Sequence, residues 1–387
     1  MPDFHWKPYR IAAIFVALTV ATVCCAADSP GNAVVGYVFV QNNVLNPGDV
    51  DAAKLTRINY AFANIEDGRI VEGFAADKAN FAALNALKRE NPKLTILVSV
   101  GGWLWSTHFS DVVLTAQSRT IFIQSVMEFL KRYDLDGLDI DWEYPGMPGA
   151  GHPFRSEDKE NFTLLLKELR SRFDAETVKS HKRLYLTIAA GASDEFLAHS
   201  EMSKLQAYLD TVNLMAYDYY EPGSDAIAGH HAPLYTNPAD PKKVSADNSV
   251  QAFEKAGVSA SKIVLGVPFY GHVWGQVPDH DHGLYQAGKP IPGAYASYQS
   301  IVATMLHNGF VRYWDPASSV PYLYDAQKRV FVSYEDPESL TAKCAYVKSH
   351  KLGGVMFWDY AGDPSGELLD TIHNSLNPEP RKAGVTR

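Results

Sequence analysis

Eight short runs of apolar, largely β-branched residues punctuate the chain, at Val34–Val40, Ile58–Ile65, Leu94–Val100, Gly137–Trp142, Leu184–Ala190, Val212–Tyr217, Ile263–Phe269 and Gly354–Trp358. Their near-continuous apolar character is that of buried parallel strands rather than of strands with one wet face. Between them lie stretches of helical period. In Ala116–Tyr133, the side chains of Phe122, Val126, Phe129, Leu130 and Tyr133 share one face; in Asp158–Phe173, those of Phe162, Leu165, Leu166, Leu169 and Phe173 do the same. Further helices are predicted at Lys78–Arg89, Met202–Leu209, Val250–Ala256, Leu340–His350 and Gly366–Leu376. Strand and helix alternating eight times predict an α/β fold, the (β/α)8 TIM barrel, whose chemistry gathers at the C-terminal ends of the strands.

One interval breaks the rhythm. From Gly271 to about Ser339 no barrel strand occurs, yet the segment holds Tyr285, Tyr295, Tyr298, Tyr313, Trp314, Tyr322, Tyr324 and Phe331 and a strand-like Val330–Tyr334. A stretch that long needs structure of its own. We read 272–339 as a small α+β insertion between strands seven and eight, forming one wall of the site, within a domain spanning 28–387.

Residues 1–27 read as a signal peptide outside that domain. Lys7 and Arg10 precede the apolar stretch Ile11–Val23, and Cys25, Ala26 and Ala27 offer a small-residue cleavage site. The apolar stretch is too short to span a membrane. A secreted protein is therefore expected, extracellular or periplasmic, with no membrane association once the leader is removed. The formal net charge is −9 over 387 residues. Such a surface argues against nucleic acid or anionic lipid as partner and does not oppose a neutral polymer. Only Cys344 remains after cleavage, in an amphipathic setting that predicts a buried inert thiol.

The chemistry concentrates in Asp136-Gly137-Leu138-Asp139-Ile140-Asp141-Trp142-Glu143. Alternation along a strand puts Asp139, Asp141 and Glu143 on one side and Leu138, Ile140 and Trp142 on the other, with neighbouring acids roughly 7 Å apart at their Cα atoms. Three acids on one face of a buried strand are costly unless they point into a polar cavity. Their titrations are coupled, and some protons are kept well above the usual range. A carboxylic acid still protonated near neutrality is what glycosidic cleavage requires, because the leaving oxygen must receive a proton. No His or further carboxylate stands nearby at ligand spacing, so no metal and no cofactor are expected there.

This run matches the DxxDxDxE motif of the glycoside hydrolase family 18 chitinases. Ser99-Val100-Gly101-Gly102-Trp103 resembles the family's SxGG motif and Met215-Ala216-Tyr217-Asp218 its MxYD motif. Gly266-Val267-Pro268-Phe269-Tyr270-Gly271 and Gly354-Val355-Met356-Phe357-Trp358 resemble its seventh and eighth strands. The five stand in family order across roughly residues 33–375.

The resemblance implies hydrolysis of chitin or chitooligosaccharides by a monomer, with retention assisted by the substrate. In that scheme Glu143 is the acid and later the base. Asp141 orients the acetamido N–H, Asp139 shares a proton with Asp141, Tyr217 hydrogen-bonds the acetamido oxygen, and Asp218 binds the distorted sugar. Trp358 and Trp103, at strand ends, are expected to bind sugar faces. Met215 and Tyr144 shape the same pocket, with Tyr37 and Phe62 below it. Gly101 and Gly102, lacking Cβ, are expected to let the backbone pass close to Asp139 and Asp141. Trp142 is assigned to core packing and Asp136 to structure.

One departure concerns the residue after Phe-Tyr-Gly, often Arg in relatives and here His272. His230, His231, His280 and His282 are expected on solvated loops. Two other readings compete: an endo-β-N-acetylglucosaminidase acting on glycans, and a chitin-binding lectin, which typically loses the acid.

Overall fold

The computed structural model describes residues 31–377 apart from residue 293; the proposed leader lies outside these. All eight expected strands form, as β1 (Ala33–Phe39), β2 (Arg57–Glu66), β3 (Thr95–Gly101), β4 (Gly137–Asp141), β5 (Tyr185–Gly191), β6 (Thr211–Met215), β7 (Ile263–Pro268) and β8 (Gly354–Trp358). Every neighbouring pair is parallel, and β1 pairs with both β2 and β8, so the sheet closes. Closure removes the sheet edge and gathers eight strand ends at one mouth. A short strand, Arg69–Val71, turns back antiparallel on the end of β2.

The main core lies between barrel and helices. Phe122, Val126, Phe129 and Leu130 of the helix Ala116–Tyr133 are buried there, as are Phe162, Leu165, Leu166, Leu169 and Phe173 of the helix Asp158–Ser180. Each such side chain contributes about 1.5–3 kcal/mol on burial. Trp142 belongs to this layer, stacked on Phe109 at 5.3 Å between ring centroids and meeting Phe162 edge-on. Its neighbours Asp141 and Glu143 therefore turn the other way, as strand alternation requires.

The segment between β7 and β8 is a sheet with one short helix, Tyr298–Thr304, followed by the helix Pro337–Ser349 that leads back to the barrel. Strands Tyr270–Gly275, Val311–Asp315, Val320–Asp325 and Val330–Ser333 pair antiparallel, with a two-residue edge strand, Lys289–Pro290. Its first strand begins at Tyr270, directly after β7, slightly ahead of the expected start. The insertion has a core of its own, in which Trp274, Tyr322, Tyr324 and Phe331 pack with Tyr220 from the loop after β6. Cys344 is buried and free, and burial pushes its thiol up to about 12. Among the described residues no helix is long and apolar enough to cross a membrane.

Candidate active site

Register sets the centre of the site. Asp139 of β4 stands level with Ser99 of β3 and Thr187 of β5. Both hydroxyls donate to it: Ser99 to Oδ2 at 2.8 Å, Thr187 to Oδ1. From across the barrel Tyr37 donates to Oδ2 at 2.9 Å and the Asn213 amide to Oδ1 at 3.0 Å. Burial raises the Asp139 pKa, and these donors oppose that rise by favouring the carboxylate. With two donors on each oxygen, Asp139 makes no hydrogen bond to Asp141, so the expected proton sharing has no direct contact here.

One step further along the strand the surroundings change. Asp141 Oδ1 is buried and has no hydrogen-bond partner. Burial, then the charges of Glu143 and Asp139, push its pKa well up. Glu143 is half-buried, and burial carries its pKa up to about 7, with the charge of Asp218 adding to the rise. The result is a graded set: a carboxylate locked among donors, an unsatisfied acid, and a third acid poised at neutrality.

Two small residues hold the backbone in place. Gly101 has φ +105, and a Cβ on it would lie 2.3 Å from the Asp141 carbonyl oxygen. Ser106, which sequence reasoning did not single out, is fully buried. Its hydroxyl accepts the Glu143 N–H at 2.9 Å and faces the carbonyls of Gly102 at 2.9 Å and Asp141 at 3.2 Å. Gly102 departs from expectation. A Cβ there would meet the Phe62 ring at 2.6 Å, so its smallness serves an aromatic platform and not Asp139.

That platform centres on Trp358, the last residue of β8. Phe62 stacks on it at 5.4 Å and 21°, while Phe39 and Tyr37 flank it at 5.6 and 5.7 Å. Asp136 stays outside the barrel mouth, paired with Lys88 at 2.6 Å and Lys182 at 3.2 Å.

All of this lines a cleft of about 1200 Å³ that brings together Tyr37, Phe62, Gly101, Trp103, Asp141, Glu143, Tyr144, Met215, Tyr217, Asp218 and Trp358. Asp139 and Gly102 lie just behind its wall. Trp103 is half exposed at the mouth and meets Tyr144 edge-on at 6.5 Å. Sequence reasoning named Tyr295 only among the insertion's aromatics, and it missed Tyr270 and Glu221 in the same lining. Tyr270 was legible as part of a motif, but its hydroxyl contact of 2.7 Å to Asp218 needed the fold.

Asp218 follows β6 in the left-handed region, φ 59. Burial works against its charge, but the imidazoles of His231 and His272 beside it hold its pKa well below the usual carboxylate range. His230 and His231 are not solvated. Both are fully buried, because the insertion covers them: His230 Nε2 lies 3.1 Å from Asp315, and the His231 backbone N–H donates to Ser333 at 2.9 Å. His280 and His282 are both exposed as expected, His282 lying stacked on Tyr313.

Residues 33–363 match the family model described as glycosyl hydrolases family 18. The chain belongs to that family. Its relatives include named chitinases and an N-acetylglucosaminidase of the same family. Chitinase A1 of Niallia circulans is 37% identical over 392 aligned positions, covering 86% of this chain, which spans 56% of that protein's length. Chitotriosidase-1 of Mus musculus is 34% identical, with 88% of this chain and 78% of the relative covered. A family 18 N-acetylglucosaminidase from Paenibacillus barengoltzii superposes with a TM-score of 0.81 at 40% identity, covering 89% of this chain and all of that one.

Proposed function

We propose that this family 18 protein is a secreted chitinase that cleaves β-1,4 linkages between N-acetylglucosamine units with retention, through the substrate's own acetamido group. The observation that carries the reading is the buried Asp141 Oδ1, an acceptor without a donor two residues from the acid Glu143. An acetamido N–H is the donor that such an oxygen lacks.

Glu143 passes its proton to the glycosidic oxygen as that bond breaks. The acetamido carbonyl oxygen attacks the anomeric carbon from the opposite face, giving an oxazolinium ion. Asp141 holds the N–H and stabilises the positive charge, and the charge of Asp139 behind it favours that polarity. Tyr217 hydrogen-bonds the acetamido oxygen, Asp218 holds the strained sugar, and Trp358 forms the floor. Glu143, now ionised, takes a proton from water, which reopens the ion with retention. Trp103, Tyr144 and Met215 line the neighbouring positions, with Tyr37 and Phe62 supporting from below. Residues 1–27 serve as the leader, 28–387 as the catalytic domain, and the mature protein acts as a monomer without cofactor.

Hydrolysis of a chromogenic chitotrioside by the purified protein tests the reading. Turnover that survives replacement of the 2-acetamido group by hydroxyl would defeat it. Preference for a glycoprotein glycan would favour the endo-β-N-acetylglucosaminidase, and binding without turnover the lectin.

A further inference from the structure

Behind the cleft wall the loop after β6 and the first insertion strand bring three ligand-type side chains together. Asp218 Oδ1 lies 2.8 Å from His272 Nε2 and 3.6 Å from His231 Nδ1. One ligand atom from each residue lies within 4.8 Å of the other two. His231 adds an independent observation: it is completely buried, and neither ring nitrogen has a hydrogen-bond partner. The 3.6 Å separation from Asp218 is too long to satisfy it. Orphaned buried nitrogens are costly, and two imidazoles facing one carboxylate are an unusual way to incur that cost.

Two imidazole nitrogens and a carboxylate oxygen form a mixed ligand set that suits zinc-like or copper-like ions, leaving a further coordination position open. Calcium and magnesium prefer oxygen ligands throughout. We propose that Asp218, His231 and His272 form a binding site for one borderline divalent cation of the zinc or copper class, opening onto the cleft. The Asp139 carboxylate, held ionised by its four donors, places a negative charge behind the cleft wall that favours a cation.

Asp218 lines the cleft beside Tyr217 and Tyr270. An ion held by its carboxylate withdraws that group from the sugar, so ion and substrate compete. The site thus makes the hydrolase reversibly sensitive to such ions.

The test begins without substrate, which separates it from the question of what the protein hydrolyses. Zinc chloride is titrated calorimetrically, and cobalt(II) is followed by its visible absorption. One equivalent is expected to bind. His272→Gln, a change at a partly exposed side chain, should weaken binding at least about tenfold, since even outer-sphere changes cost that much. His280→Gln, at an exposed histidine outside the cleft, should bind zinc as the parent does. In turnover assays zinc should raise KM and spare kcat. Absence of binding, parental affinity in His272→Gln, an equal loss in His280→Gln, or zinc that lowers kcat without touching KM each overturns the proposal.

Discussion

Tyr37 donates its phenolic proton to Asp139 at 2.9 Å across the inside of the barrel, tying the first strand to the fourth. The bond is one of four on that carboxylate, and it favours the ionised form. Tyr37→Phe removes it and lets the Asp139 pKa rise. A hydrogen bond to a charged group is worth about 1.5–3 kcal/mol, or roughly one to two pH units. The acidic limb of kcat against pH should therefore move up by about one unit while the fold persists. A limb that stays in place separates Asp139 from the rate.

Glu143 gives a prediction of opposite sense. Its folded pKa of about 7 lies above its ordinary value. As the acid, it must be protonated, so kcat/KM should fall as pH climbs past about 7. Glu143→Gln should lower kcat by about 10²–10⁴-fold while oligosaccharide binding survives. The same raised value bears on stability. Protonation favours the fold fully below the unfolded pKa, and that contribution is lost as pH rises through the folded one. Melting curves should show Glu143→Gln gaining on the parent at pH 8 relative to pH 5. Equal differences at the two values would count against the raised pKa.

Gly101 admits no larger residue. With φ +105 and the Asp141 oxygen 2.3 Å from where a Cβ would lie, Gly101→Ala meets strain and collision together. A loss of at least about 2 kcal/mol in denaturant unfolding is expected. Ser106→Ala leaves the Glu143 N–H without its partner and should cost about 1–3 kcal/mol.

Lys343 and Glu335 form an ion pair buried from water, with Ser339 donating to Glu335 at 2.6 Å and Lys343 donating to the Ala232 carbonyl at 2.6 Å. Lys343→Met alone strands a buried charge and should cost about 3–5 kcal/mol. Pairing it with Glu335→Leu should recover most of that in thermal melts. A double variant no better than the single one would assign the loss to packing instead.

The barrel was readable because each of its strands is a near-continuous apolar run, and their starts fell within a residue of expectation. The helix Ala116–Tyr133 was bounded as predicted, with Thr115 capping it in a reciprocal box with Ser118. Asp158–Ser180 ran past Phe173 because its last turns are mostly exposed and carry no apolar stripe. Most insertion strands escaped notice, since aromatic residues recur there without a clean period. His230 and His231 were misjudged for a different reason. Their partners Asp315 and Ser333 stand in a distant part of the chain, and a polar pair beside a turn looks wet until something folds over it. Ser106 gave no signal, for a lone serine in a loop looks like any other. Asp139, Asp141 and Glu143 were legible because parity along a strand is geometry that the sequence writes directly.

The loop bearing Asp218 continues into His230 and His231, and both are gripped by strands of the insertion. The insertion therefore serves as scaffolding for Asp218 as well as forming the wall. Trading it for a shorter connection, as a protein engineer seeking a wider groove would do, uncouples Asp218 from its supports. Remodelling the groove's width while keeping its chemistry demands that Ser333 and Asp315 travel with the loop they hold.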